Sequence, residues 1–343
     1  YNGIKIFQST GYKLPDETEE KIEAIILDKN YQIKTKIGGE VGKRIYCKTA
    51  VEDYINHVVS VTDVRFDGLN IAIDTANGSA SVCAKEIFTR LGAKCHMLSD
   101  TPNGVNINDK CGSTHPEELM AFVKANKLDL GVAFDGDADR MLAVDENGEL
   151  VDGDKIIAIC ASQMKQDGKL AKDTAVVTVM SNMGFFKFCE ENEINCAKTA
   201  VGDRYVLERM LQKGYNIGGE QSGHVIFLDY ATTGDGELSA VKLIETVVKS
   251  GATLGALAKI MTVYPQVLIN VPVTPEGKLK YNNDEYIISA VQEAEMELHG
   301  DGRVLVRVSG TEPLVRVMLE GKNIEQITKL GNQIADVVKE RLS

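Results

Sequence analysis

The sequence has no apolar run near the roughly eighteen residues that span a bilayer, and no basic segment followed by an apolar stretch near its start. Neither membrane insertion nor export is expected. Its seven cysteines, Cys47, Cys83, Cys95, Cys111, Cys160, Cys189 and Cys196, are odd in number and never fall as Cys-x-x-Cys. That removes a disulfide framework and a zinc ribbon, and fits a reducing cytoplasm. No basic stripe interrupts a net charge of −12, which speaks against nucleic acid as a partner but not against a small anion held by a few local arginines. Low-complexity tracts and repeats of fixed period are also missing. What is present is an ordinary globular composition, 43% hydrophobic and 26% charged over 343 residues. By length alone this makes about two to three domains.

The pattern along the chain is α/β. Residues 1–49 hold one amphipathic helix candidate, "DETEEKIEAIILDK", begun at Pro15-Asp16 and flanked by short β-like pieces. So little apolar surface reads as the tail of a domain. With Tyr1 in place of an initiator methionine, the chain is expected to be a trimmed piece. Residues 50–150 form a first unit: strand "LNIAIDT", turn Asn77-Gly78, helix "SVCAKEIFTRL", strand "AKCHML", helix "PEELMAFVKAN", strand "LDLGVAF" and a hairpin about Asn147-Gly148. Residues 151–264 restart the alternation in a second unit. Residues 265–343 change to a compact α+β module in which a strand, a helix, two strands and a long helix follow one another.

Three stretches carry chemistry. In "AFDGDADRML", Asp135, Asp137 and Asp139 alternate with small residues directly after a strand, so several carboxylates can aim at one point. Oxygen-only donors suit magnesium or calcium. A solvated acidic turn would leave three like charges to repel one another. An EF-hand finds Glu146 in place but Arg140 where its glycine belongs. A phosphatase of the haloacid dehalogenase type would use Asp135 as nucleophile and Asp137 as acid, although a third aspartate stands in place of the usual Thr or Val.

The second stretch, "NIGGEQSGHVIF", surrounds Glu220, Ser222 and His224 with glycines, a set able to exchange hydrogen bonds with sugar hydroxyls. In the third, "RVLVRVSGTEPLVRV", Arg307, Ser309, Thr311 and Arg316 surround Gly310 at a turn where backbone N–H groups and guanidinium forks can cradle phosphate. A solvated hairpin competes evenly with that reading. Arg204 in "AVGDRYV" and the stretch "CGSTHPEEL", with Thr114 or His115 as cap, read first as plain helix starts. The three main stretches fall one to a unit, as when domains converge on one ligand.

In their order, "YNGIK", "DTANG", "NINDKCGSTHPE", "DGDADR", "GDRYV", "GGEQSGH", "TTGDG" and "RVSGTEPLVRVM" resemble the α-D-phosphohexomutase superfamily, and within it the bacterial phosphoglucosamine mutases. The resemblance covers essentially the whole chain. It implies a heart-shaped molecule of related α/β domains with a C-terminal domain like the TATA-binding-protein fold. It also implies phosphoryl transfer between the C6 and C1 oxygens of glucosamine phosphate, through a phosphoserine and a glucosamine 1,6-bisphosphate intermediate, for amino-sugar nucleotide synthesis. On it, Asp135, Asp137 and Asp139 would hold Mg²⁺ with Arg140 beside them. Glu220 and Ser222 would hold the sugar, Arg307, Ser309, Gly310, Thr311 and Arg316 the resting phosphate, and Lys5 and His224 would move protons. Phosphomannomutase or phosphoglucomutase activity, a metal-dependent sugar phosphatase and a non-catalytic sugar-phosphate binder are the alternatives. A small sugar phosphate is the expected partner, and a homodimer is compatible with it. The family's reactive serine lies in a "TASHNP"-like motif before "YNGIK", and that motif is not found here, so the chain alone is expected to be inactive.

Overall fold

The structure is a computed structural model that describes residues 6–32, 34–309 and 312–343. Short, buried central strands such as Leu130–Phe134 and Thr174–Thr178 dictate its two α/β units, since a strand buried on both faces needs helices on either side. In the first unit β1 (Asn70–Asp74), β2 (Lys94–Leu98) and β3 (Leu130–Phe134) are parallel, while β4 (Met141–Val144) and β5 (Leu150–Val151) turn back antiparallel. Their order is β2-β1-β3-β4-β5. All of β3 is buried, which brings its end, where the aspartates begin, to the edge of a rigid core.

The second unit repeats the plan with four strands in the order β7-β6-β8-β9. Here β6 (Thr174–Thr178) runs parallel to β7 (Asn195–Thr199) and β8 (Ile217–Gly219), and β9 (Val225–Phe227) is antiparallel. Helices α2 (Ala50–Ser60), α3 (Ala84–Leu91) and α4 (Glu117–Asn126) belong to the first unit. Helices α5 (Gly153–Gln166), α6 (Met183–Glu191), α7 (Asp203–Lys213), α8 (Gly236–Ser250) and α9 (Leu254–Leu257) belong to the second. One core runs through both, with Phe88 and Phe134 in the same cluster as Phe185 and Leu243.

The C-terminal module has its own core. Antiparallel β10 (Gln266–Pro272), β11 (Gly302–Val308) and β12 (Leu314–Gly321) lie in the order β10-β12-β11, beside α10 (Pro275–Lys280), α11 (Glu285–Leu298) and α12 (Ile324–Leu342). In α12, Ile327, Leu330, Ile334, Val338 and Leu342 recur every three or four residues and are buried against Val315, Val317 and Leu319. No described helix is long and apolar enough to cross a membrane.

Three details differ from the sequence reading. Helix α1 (Asp16–Leu27) forms where expected but buries no residue, and the β-like pieces beside it amount to one bridge between Phe7 and Lys13 among the described residues. The helix read as "SVCAKEIFTRL" is split into a 3-10 turn, Ser79–Val82, and α3. Neither Thr114 nor His115 caps α4: Pro116 stands at the N-cap and no side chain bonds there. The loop before it is held elsewhere, with Gly112 N–H on Asp74 (2.8 Å) and Ser113 N–H on the Phe134 carbonyl (2.8 Å).

Candidate functional site

The aspartate loop leaves the buried end of β3 and is braced from both units. Within its own unit, Ser79 N–H donates to the Gly136 carbonyl at 3.0 Å. From the second unit, Gly236 N–H donates to the Ala138 carbonyl at 2.9 Å, and the loop exits through Met141 N–H on the Gly223 carbonyl at 3.0 Å. Ala138 takes a left-handed backbone, φ +58°, which favours a small residue there. The turn at Gly223 (φ +95°) needs its glycine, because a Cβ would stand 2.3 Å from the Met141 carbonyl oxygen.

Asp135 is half-buried and accepts from Arg140 N–H at 3.2 Å; Asp137 is exposed and Asp139 half-buried. Burial raises the Asp135 pKa, and the charge of Asp139 raises it further. The loop therefore carries mutual repulsion of the sort a cation relieves, and its donors are hard oxygens that fit a hard divalent ion in kind. The expected convergence is incomplete: among the described residues no three His, Cys, Asp or Glu side chains are grouped so as to hold a metal.

Glu220 and His224 flank the second loop, whose turn is closed by Glu220 N–H on the His224 carbonyl (3.0 Å) and Gly223 N–H on that of Glu220 (3.0 Å). The Glu220 carboxylate accepts from Gly202 N–H at 3.1 Å, and burial raises its pKa. Ser222 is exposed. His224 is only 3% exposed. Its Nε2 accepts from Gly234 N–H at 3.2 Å and lies 3.6 Å from Asp203, while Nδ1 lies 3.8 Å from Asp139. Burial lowers its pKa, so the ring is neutral, and the acceptor role of Nε2 puts the proton on Nδ1, facing Asp139. Lys13 pairs with Asp203. A cavity of about 350 Å³ lies beside the aspartate loop and the start of α8, lined by Lys13, Asp137, Asp139, Gly234, Asp235 and Glu237 among others.

Arg204, in the first turn of α7, is paired with Asp16 and with Glu208, the latter at 3.0 Å. In the C-terminal module, Arg307 on β11 stands directly opposite Arg316 on β12. Among the described residues the Nε of each is buried without a hydrogen-bond partner. Arg316 Nη2 reaches Glu312 at 2.7 Å, and burial followed by the neighbouring Arg316 charge lowers the Arg307 pKa. Two adjacent guanidinium groups with donors to spare have the chemistry to hold an anion. Ser309 is buried, its Oγ accepting from Glu312 N–H at 3.3 Å. Lys5, Gly310 and Thr311 lie outside the described residues. The structure thus brings the aspartate loop, Glu220 and His224 together and sets Arg307 beside Arg316.

Sequence reasoning missed Asp235, which caps α8 through Leu238 N–H (3.0 Å) and accepts from the Tyr54 hydroxyl at 2.9 Å. The Asp directly before a long helical stretch in "TTGDGEL" was the available signal.

Family models for the phosphoglucomutase/phosphomannomutase family match the chain in three places: its alpha/beta/alpha domain II at residues 52–148, alpha/beta/alpha domain III at 152–264 and C-terminal domain at 268–337. The chain is 51% identical over 341 residues to the phosphoglucosamine mutase of Brevibacillus brevis, covering 99% of this chain and 76% of that protein. It is 52% identical over 344 residues to that of Alkaliphilus oremlandii, covering 100% and 76%. In shape it resembles Aspergillus fumigatus N-acetylphosphoglucosamine mutase in complex with GlcNAc-6P and magnesium, at TM-score 0.70 and 20% identity over 85% of this chain and 65% of that one. A variant of the same Aspergillus enzyme in complex with glucose 1,6-bisphosphate gives TM-score 0.63 at 18% identity, covering 84% of this chain and 64% of that one.

Proposed function

The chain belongs to the phosphoglucomutase/phosphomannomutase family, and we propose that it is a phosphoglucosamine mutase that interconverts glucosamine 6-phosphate and glucosamine 1-phosphate. In this reading residues 50–150, 151–264 and 265–343 are domains that contribute the metal, sugar and phosphate loops. The observation that carries the phosphate part is the rung of Arg307 and Arg316 with two buried, unspent Nε donors. The amino sugar is favoured over glucose or mannose by identity near one half, along the whole chain, to phosphoglucosamine mutases.

Each group has a task in such a reaction. Asp135, Asp137 and Asp139 would hold Mg²⁺, which when bound would polarise the phosphoryl group in transfer. Arg140 stands beside the loop and offsets charge there. Glu220 and Ser222 orient ring hydroxyls, and the exposure of Ser222 leaves it available. Arg307, Ser309, Gly310, Thr311 and Arg316 keep the phosphate that is not in transfer, while the bisphosphorylated sugar turns over between half-reactions. Arg204 is a reserve for the same phosphate if it gives up Asp16. Lys5 and His224 are the candidates for moving protons; the Nε2 of His224 accepts from Gly234 N–H, and its Nδ1 lies 3.8 Å from Asp139. The phosphoseryl donor has no counterpart by motif in residues 1–343.

The test joins this chain to a "TASHNP"-type segment phosphorylated on its serine, supplies glucosamine 6-phosphate, glucose 6-phosphate and mannose 6-phosphate, and identifies products by phosphorus NMR. Glucosamine 1-phosphate as the preferred product supports the reading. Preferred conversion of a hexose phosphate, or release of inorganic phosphate alone, overturns it.

A further inference from the structure

Four side chains of β11 and β12 form two rungs on one face of the C-terminal sheet. Arg303 is opposite Glu320, and Arg307 is opposite Arg316. Positions 303 and 307 are four apart, as are 316 and 320, and side chains alternate with a period of two, so both rungs point the same way. Their surroundings differ completely.

The Arg303–Glu320 rung is plugged into the second unit. Glu320 is fully buried; one oxygen accepts from Arg303 Nε (2.5 Å) and from Met183 N–H (2.9 Å) at the start of α6, and the other from Asn182 Nδ2 (3.2 Å). Arg303 gives its remaining nitrogens to the carbonyls of Val179 (3.0 Å) and Ser181 (2.5 Å), and its guanidinium lies 4.9 Å from the Phe186 ring centre. Asn182 closes the network by exchanging hydrogen bonds with the backbone of Tyr264, where the chain passes between the units (3.0 and 2.9 Å). The Arg307–Arg316 rung, by contrast, has two cations and two unsatisfied donors.

A buried ion pair adds little net stability over a well-packed apolar contact, but its hydrogen bonds are directional. An apolar junction tolerates sliding and rotation. This one ties one end of the two strands to the first turn of α6 through carbonyls, an N–H and an amide, each with a required angle. We propose that Arg303 and Glu320 are positioning residues: their clasp on the start of α6 sets the angle at which the Arg307–Arg316 rung meets the substrate phosphate. The proposal rests on the reading of that rung as the phosphate site.

The test is calorimetric titration of the full chain with glucosamine 6-phosphate, comparing Glu320→Gln, Arg303→Lys, Arg307→Ala and the combined Glu320→Gln/Arg307→Ala variant. A site displaced by about an ångström loses binding, so Glu320→Gln is expected to weaken affinity about tenfold and Arg303→Lys less. In the Arg307→Ala background Glu320→Gln should add less than it costs in the parent, because only Arg316 of the rung it positions remains. Hydrogen exchange at Met183 N–H should accelerate while the β6 amides stay protected, which separates a loosened clasp from a misfolded chain. Unchanged affinity in Glu320→Gln, or a full additive loss in the combined variant, overturns the clasp. If Arg307→Ala alone leaves affinity intact, the phosphate site is elsewhere, and the clasp proposal falls with it for a different, recognisable reason.

Discussion

Gly236 and Ala138 meet across the two α/β units, the Gly236 N–H donating to the Ala138 carbonyl at 2.9 Å. Gly236 starts α8 in the second unit, and Ala138 sits in the aspartate loop of the first. A Cβ on Gly236 would stand 2.7 Å from the Arg140 carbonyl oxygen and 2.9 Å from that of Ala138. The approach is closed to any other residue, so the "TTGDG" motif reads as a brace for the aspartates.

Gly236→Ala is therefore expected to push the aspartate loop out of place. Overpacking of this sort costs about 1–3 kcal/mol, seen as a lowered Tm. Titration with Mn²⁺ should also show weakened binding. A variant with normal Tm and normal Mn²⁺ affinity would show that the loop yields at no cost.

Asp137 is the most exposed of the three aspartates, so replacing it disturbs packing least. Asp137→Asn should leave the unfolding free energy within about 0.5 kcal/mol of the parent, as surface changes usually do. It should abolish the small calorimetric signal of Mg²⁺. Equal Mg²⁺ binding by parent and variant would remove the loop from consideration as a metal site.

Asp154, in the first turn of α5, is fully buried, and its Oδ1 has no hydrogen-bond partner. Burial is the main cause that pushes its pKa up to about 7, with the charge of Asp152 adding to it. A carboxyl whose folded pKa is raised keeps its proton in the folded state over a range in which the unfolded chain has lost it. Its contribution to stability is present at low pH and is lost as pH rises from about 4 through about 7. Asp154→Asn stays neutral and its carbonyl can still accept from Asn182 N–H, the bond Asp154 makes at 2.6 Å. Thermal unfolding should therefore show the variant gaining on the parent between pH 5 and pH 8. A gap independent of pH would mean that Asp154 is ionised throughout.

The periodic elements were legible because their pattern is local. Helix α12 repeats apolar residues at helical spacing, and the hairpin about Asn147-Gly148 appears as β4 and β5. Helix α8 was missed: eleven of its residues are buried, Glu237 included, so its polar face narrows to the stripe of Lys242, Glu245 and Lys249. Arg307 and Arg316 could be picked from their turn. Arg303 and Glu320 could not, because an arginine and a glutamate on strands look like surface residues until the register sets them opposite each other and α6 covers them. The near-neutral environment of Asp154 was equally hidden, since burial is a property of the assembled units.

Glu312 offers the sharpest test of the arginine rung, because it competes for it. Its carboxylate holds Arg316 at 2.7 Å, while Arg307, opposite, has no carboxylate partner among the described residues. An incoming phosphate must therefore displace Glu312 from Arg316 but meets no such rival at Arg307. Charge-assisted hydrogen bonds contribute on the order of 1.5–3 kcal/mol, so Arg307→Ala should weaken substrate binding by roughly ten- to a hundred-fold. The same contact is made in ground and transition states, so the loss should fall on KM more than on kcat. Arg316→Ala should cost less, since part of its gain is already offset by the lost Glu312 pair. Glu312→Gln should act in the opposite direction and tighten binding several-fold, an exposed pair being worth up to about 1 kcal/mol. Calorimetric titration of the three variants with glucosamine 6-phosphate gives the ordering directly, and steady-state kinetics with the serine-bearing segment joined gives the split between KM and kcat. If Glu312→Gln weakens binding instead, Glu312 is shaping the turn around Ser309 and not competing with the phosphate.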